Sequence, residues 1–316
     1  MSLAFVFPGQ GSQVVGMLDS YADCAPVQSL LRAANEALGD DLGRLIAQGP
    51  AEALGLTVNT QPAMLVAGLA NFLAWRAAGG PEPAAVAGHS LGEYTALTAA
   101  GVFDAAVAVK LVRLRAQAMQ EAVPVGVGSM AAILGLDDAT VEQACAKAMA
   151  GHAGEVVAAA NFNAPAQVVI AGHKAAVERA CEHAKALGAK RALALAVSAP
   201  FHSSLLRPAG VRLGQALAEL SLRSPAFAVV NNVDVAVQSE PAKIVDALIR
   251  QSYSPVRWVE VVHELKALGT HHVIEFGPGK VLAGLVPRID KSLKVSAVYD
   301  AGTLAAVLEQ VRQETS

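Results

Sequence analysis

Two short runs of this chain have no polar side: LAFVF at residues 3–7 and AAVAG at 84–88. A strand with one wet face alternates apolar and polar residues, whereas these are apolar throughout and so read as buried on both faces. Helices are expected over 27–38, 61–78 and 92–100. Doubly buried strands alternating with helices point to a mostly parallel sheet covered on both sides. The later runs FAVVNN (227–232), HHVIEFGPG (271–279) and KVSAVYD (294–300) are expected to complete it.

The alternation breaks at VPVGVG (123–128). SMAAILGL then reads as a strand, DATVEQACAKAM as a helix, EVVAAANFN and AQVVIAGH as two strands joined near Ala164 and Pro165, AAVERACEHAKALG as a helix, and AKRALALAV as a last strand. That order, β-α-β-β-α-β in about 70 residues, is the ferredoxin-like unit. The expected organisation is a large α/β domain from 1–127 and 198–316, with residues 128–197 inserted as a subdomain. Clefts between two such bodies are common ligand sites.

Composition excludes several classes. A net charge of −3 gives no basic surplus for nucleic acid. The mean hydropathy of +0.41 comes largely from alanine, valine and leucine, and no apolar run reaches the ~18 residues that would span a bilayer. The N-terminus lacks a basic region and its apolar stretch stops at Pro8, unlike a signal peptide. Cys24, Cys145 and Cys181 have neither disulfide-framework nor zinc spacing. A cytoplasmic protein is expected. PGQGSQ (8–13) is no dinucleotide loop, because Val14 stands where a third glycine belongs, and GPGK (277–280) lacks the leading spacing of a phosphate loop.

The second apolar run feeds GHSLG, which sets Ser90 between Gly88 and Gly92. Strand, sharp turn with serine at its tip, then helix is how a nucleophilic hydroxyl is kept exposed. The pentapeptide alone is weak evidence, arising by chance in roughly one chain in ten of this length. A serine needs a base, and eight histidines are available. His89 should project away from its neighbour Ser90. His202, in VSAPFHSSLL, falls where the chain re-enters the large domain at the lip of the expected cleft, before a helix over 203–220. No acid stands out as a third member. Asp104 and the Asp137–Asp138 pair read as helix N-caps, which leaves Glu275 after a strand. Arg115 is placed by helical periodicity among Ala108, Leu111, Val112 and Met119, opposite Lys110, Arg113 and Gln117. A core-facing arginine demands a partner, either a structural carboxylate or the carboxylate of a ligand.

Together these features resemble the malonyl-CoA:acyl carrier protein transacylases of fatty-acid synthesis and the related acyltransferase domains of polyketide synthases. The resemblance runs through FPGQGSQ, GHSLGEY, RLRAQAMQEAVP, NFNAP with QVVIAG, PFH, QSYSPVRW and EFGPGKVL, in order along the chain. It implies a hydrolase-like α/β domain with an inserted ferredoxin-like subdomain, malonyl-CoA and acyl carrier protein as partners, and no cofactor or metal. By that resemblance Ser90 is the nucleophile, His202 the general base and Arg115 the clamp for the malonyl carboxylate. Backbone N–H groups of Gln10 and Leu91 form the oxyanion hole, and Gln251 orients His202 through a carbonyl oxygen in place of an acid. Phe201 matches the pattern of malonyl rather than methylmalonyl selection. Asn161 and Asn163 shape the subdomain wall. Lys190 and Arg191 are candidates for docking an acidic carrier, with Arg207 and Arg288 behind them. The competing readings are a serine esterase or thioesterase, the same chemistry for a polyketide or malonate-decarboxylase carrier, and a non-catalytic docking module.

Overall fold

The structure, a computed structural model, describes residues 2–315. The chain opens with β1 (Leu3–Phe7), α1 (Ala25–Leu38), α2 (Leu42–Gln48), α3 (Ala51–Leu54) and α4 (Thr57–Ala77). It continues through β2 (Ala85–Gly88), α5 (Leu91–Ala99) and α6 (Ala105–Glu121). Next come β3 (Gly128–Leu134), α7 (Asp138–Met149), β4 (Val157–Ala164), β5 (Gln167–His173), α8 (Lys174–Ala186) and β6 (Arg191–Ala194). The remainder is α9 (Arg207–Ala218), β7 (Ala228–Val230), α10 (Pro241–Gln251), α11 (Trp258–Ala267), β8 (His272–Phe276), α12 (Val281–Ile289), β9 (Lys294–Val298) and α13 (Ala301–Thr315).

The strands form two sheets. The larger has the order β7-β2-β1-β8-β9 and is parallel throughout. The smaller has the order β4-β5-β3-β6, is antiparallel, and carries α7 and α8, which is the expected ferredoxin-like arrangement. Burial on both faces of β1 explains its composition. Phe5 and Phe7 enter one core, where Phe5 meets Phe276 edge-on at 4.6 Å and Trp75 at 5.9 Å. Ala4 and Val6 enter the other, against Trp258, Val261 and Val273. Each such buried side chain contributes about 2 kcal/mol. Among the described residues no helix is long and apolar enough to cross a membrane.

Several local expectations are revised. The expected helix over 203–220 starts as a 3-10 turn, Ser204–Leu206, before α9. The last subdomain strand spans only Arg191–Ala194; Leu195 N–H still reaches Met130 O, and residues 196–198 leave the sheet for the cleft. Asp137 caps α7 through Thr140 N–H, as expected. Asp104 occupies the N-cap position of α6, but its carboxylate is held by Arg223 at 2.6 Å instead of capping. Short α2 and α3 carry little periodicity and were not expected.

The glycines of GHSLG are required by backbone proximity. A Cβ on Gly88 would stand 1.9 Å from the carbonyl of Gly92, and one on Gly92 would stand 2.0 Å from Phe7 O. The first turn of α5 is thus pressed against β1 and β2. Neither contact can relax, because both partners are backbone. Gly92→Ala is expected to lower the free energy of unfolding by about 3 kcal/mol or more, measured by urea denaturation. An unchanged midpoint would mean that this approach is looser than it looks.

Candidate active site

Ser90 occupies the turn between β2 and α5 with φ 53° and ψ −108°, a conformation that side-chain-bearing residues avoid. The turn is held by Asn232, just after β7. Its Oδ1 accepts from Ser90 N–H at 2.8 Å, and its Nδ2 donates to Gly88 O at 2.7 Å. His202 also has a positive φ, 60°, in a turn closed by Ser203 Oγ donating to Pro200 O. Both strained residues face the same point, with Ser90 Oγ 2.7 Å from His202 Nε2.

Hydrogen bonding sets the tautomer. His202 Nδ1 donates to two backbone carbonyls, Gln251 O at 2.9 Å and Ser254 O at 3.2 Å. Its Nε2 is therefore the acceptor for the Ser90 hydroxyl. Among the described residues no acid completes a triad: Glu275 is buried elsewhere, accepting from Leu282 and Ala283 N–H at the start of α12, and burial pushes its carboxyl up to about 7. Burial, with the Arg115 charge beside it, lowers His202 to about 3. The imidazole is thus neutral and able to take a proton throughout the physiological range.

Arg115, on α6, points inward as its periodicity indicated and is 1% exposed. Its Nη1 donates to Gln61 Oε1 at 3.0 Å. Its Nη2 donates to Gln251 Oε1 at 3.0 Å and to Ser90 Oγ at 3.1 Å. The guanidinium carbon lies 5.2 Å from the Tyr94 ring centre. Among the described residues no carboxylate is bonded to it directly, Glu93 acting on it only through space, and Nε has no hydrogen-bond partner. A buried cation held only by neutral acceptors, with its edge on the serine oxygen, is arranged to receive an anionic ligand.

These groups line a cavity of about 160 Å³ between the two sheets. Gln10, Leu91, Phe201 and Asn161 also line it, with Met130, Val169 and Val197 as apolar wall. Leu91 opens α5, so its N–H has no acceptor within that helix and can serve an oxyanion. Gln10 lies in the loop after β1 and faces the same space. Asn163 faces a neighbouring depression and accepts from His89 Nε2 at 2.8 Å, and His89 lines both that depression and the Ser90 cavity. Lys190 and Arg191 are exposed at the start of β6. Arg207 stacks on Tyr253, and Arg288 is bonded to Gln167. Sequence reasoning missed Gln61, Glu93 and Asn232, all buried. A glutamine within the apolar run that follows it in α4 was the one available signal.

A parallel α/β sheet with a serine–histidine pair at a strand-to-helix elbow, beside a buried arginine, defines a class built for acyl transfer through a hydroxyl. The model of the acyl transferase domain family matches residues 4–312, and the chain belongs to that family. It is 53% identical over 307 residues to the malonyl CoA-acyl carrier protein transacylase of Escherichia coli K12, covering 97% of this chain and 98% of that one. The acyl-carrier-protein S-malonyltransferase of Burkholderia pseudomallei 1710b is 61% identical, with a TM-score of 0.95 over 98% of this chain and all of that one. A malonyl-transacylase solved in complex with a type II PKS acyl-carrier protein is 48% identical, with a TM-score of 0.95 over 98% of this chain and 100% of that one.

A neutral buried histidine has a stability signature. Its folded value lies below the ordinary 6.5, so below about pH 6.5 the unfolded chain binds the extra proton. The contribution is intact above pH 6.5 and is lost as pH falls toward 3. Relative to His202→Gln, the wild type should lose about 1 kcal/mol more stability between pH 7.5 and 5.5, measured by urea unfolding. Parallel losses would show that His202 titrates normally.

Proposed function

We propose that this protein moves a malonyl group from coenzyme A to the phosphopantetheine thiol of acyl carrier protein, in the cytoplasm, for fatty-acid synthesis. The observation that carries this reading is a single oxygen, Ser90 Oγ, shared by a neutral histidine acceptor and a buried arginine whose direct hydrogen-bond acceptors among the described residues are all neutral. A thioester of a dicarboxylic acid suits both features. Its free carboxylate pairs with Arg115 while its thioester carbonyl stands over Ser90.

In the first half-reaction Ser90 Oγ attacks the thioester carbon and its proton passes to His202 Nε2. The N–H groups of Gln10 and Leu91 receive the oxyanion. As the C–S bond breaks, His202 returns the proton to the departing thiol, leaving a malonyl ester on Ser90. In the second half the carrier thiol gives its proton to His202 and attacks that ester, and the proton ends on Ser90 Oγ. Pairing of the malonyl carboxylate with Arg115 offsets the charge that helps depress His202, so the base strengthens when the substrate is in place. The two carbonyls on Nδ1 fix the ring without a full negative charge. Lys190 and Arg191 offer an exposed basic edge to an acidic carrier. Transfer to a polyketide or malonate-decarboxylase carrier, and hydrolysis by the same serine, are less favoured, because the curated relatives are malonyl CoA-acyl carrier protein transacylases.

Intact-protein mass spectrometry after brief exposure to malonyl-CoA tests the whole reading. Wild type should gain one malonyl group that carrier protein removes, and Ser90→Ala should gain none. Accumulation of free malonate without carrier would instead indicate a hydrolase. Arg115→Ala should lose malonyl transfer by about 100-fold or more while acetyl transfer is kept or raised. Equal loss of both would make Arg115 structural. Phe201 is 7% exposed and lines the cavity beside His202. Phe201→Ser should raise methylmalonyl relative to malonyl transfer by about tenfold. An unchanged ratio would remove the steric account.

A further inference from the structure

The acyl-transfer reading leaves one buried acid beneath the elbow without a task. Glu93, in the first turn of α5, is 1% exposed. Burial pushes its carboxyl up to about 7 despite the opposing pull of its hydrogen bonds. A carboxyl in such a place is costly unless it is bonded. Both of its bonds end on one oxygen: Oε2 accepts from the N–H of Asn232 at 2.9 Å and from Nε2 of Gln251 at 2.8 Å.

Those two partners touch every working group. Asn232 Oδ1 accepts from Ser90 N–H. Gln251 Oε1 accepts from Arg115 Nη2, its Nε2 also donates to Ser90 O at 3.0 Å, and its backbone carbonyl accepts from His202 Nδ1. We infer that Glu93 is a positioning residue for acyl transfer, whose Oε2 holds the Gln251 amide and Asn232 in one arrangement and, through them, the carboxylate clamp of Arg115. The inference rests on the roles given above to Ser90, His202 and Arg115.

The reason lies in the two unlike ends of an amide. With Nε2 on Glu93, Oε1 must face the guanidinium. Turned over, the amide would set N–H groups against Arg115 and its oxygen against both Ser90 O and Glu93. In a dry site such mismatched contacts are strongly disfavoured. Bidentate binding of a carboxylate needs the guanidinium plane held still, and Gln251 supplies one of its two amide anchors, Gln61 the other. Loss of Glu93 therefore loosens the clamp more than the nucleophile, which keeps its contacts to His202 and Asn232.

The test compares malonyl-CoA with acetyl-CoA as donor, followed by acylation of Ser90 and by steady-state transfer to carrier protein. Glu93→Met, similar in volume but without an acceptor, should lower kcat/KM for malonyl about 100-fold, chiefly through KM, and reduce the malonyl-to-acetyl ratio about tenfold. Glu93→Gln, whose carbonyl oxygen can stand where Oε2 stands, should stay within about threefold of wild type. Adding Glu93→Met to Gln251→Met should cost little more than Gln251→Met alone. If Glu93→Met does not fold, Glu93→Asp keeps a buried carboxyl but withdraws it by one methylene, and should still lower the ratio at least about threefold. Equal loss with both donors, failure of Gln to rescue, or multiplicative losses in the double variant overturn the inference. A wild type that malonylates Ser90 while the ratio stays unchanged in Glu93→Met rejects this role alone. A wild type that takes no malonyl rejects the functional reading, and this role with it.

Discussion

A buried guanidinium with no carboxylate bonded directly to it among the described residues is the constraint around which this protein is built. Taking a cation out of water is costly, and here the charge of Arg115 is met directly by oxygen dipoles from Gln61, Gln251 and Ser90 and by the face of Tyr94, with the carboxyl of Glu93 acting on it from behind Gln251. Each acceptor comes from a different part of the chain, so the large domain must be assembled before the site exists. The same charge helps hold His202 neutral. Under the proposed reaction, an anionic acyl group that pairs with Arg115 offsets its charge and strengthens His202 as a base at the same moment.

Backbone strain is also stored at the site. Ser90 and His202 both adopt positive φ, each at a cost of about 1–3 kcal/mol. What holds them is local and stiff: glycines that let α5 press on β1, Asn232 bridging Ser90 N–H and Gly88 O, and the Ser203 turn. Two carbonyls on Nδ1 fix the orientation and tautomer of His202, which under the proposed reaction matters more than a stronger base because a thioester is an activated substrate. Glu275, the acid a triad would have used, instead receives the first N–H groups of α12.

Much of this was legible in the chain. The apolar runs of β1 and β2, the βαββαβ order and the serine turn are local patterns, and periodicity alone put Arg115 toward the core. His202 was picked out by its place where the chain re-enters the large domain, and the full set of motifs supplied Gln10, Leu91 and Gln251. Gln61, Glu93 and Asn232 escaped notice because a buried polar residue is distinguished by its partners. Those partners lie up to 158 residues away in sequence, as Gln251 does from Glu93. Asp104 stands at the N-cap of α6 as its position in the chain indicates, but its carboxylate goes to Arg223, far along the chain, instead of to the helix.

The sequence by itself determined the strands, the inserted subdomain, the elbow serine and the inward face of α6, since each follows from the spacing of neighbouring side chains. Only the tertiary structure decided that Ser90 Oγ would lie between His202 Nε2 and Arg115 Nη2, and that the Gln251 side-chain amide would be bonded to Arg115 while its backbone carbonyl holds His202. Distances of 3 Å between residues remote in the chain are set by how two sheets and their helices pack. No local pattern encodes that packing.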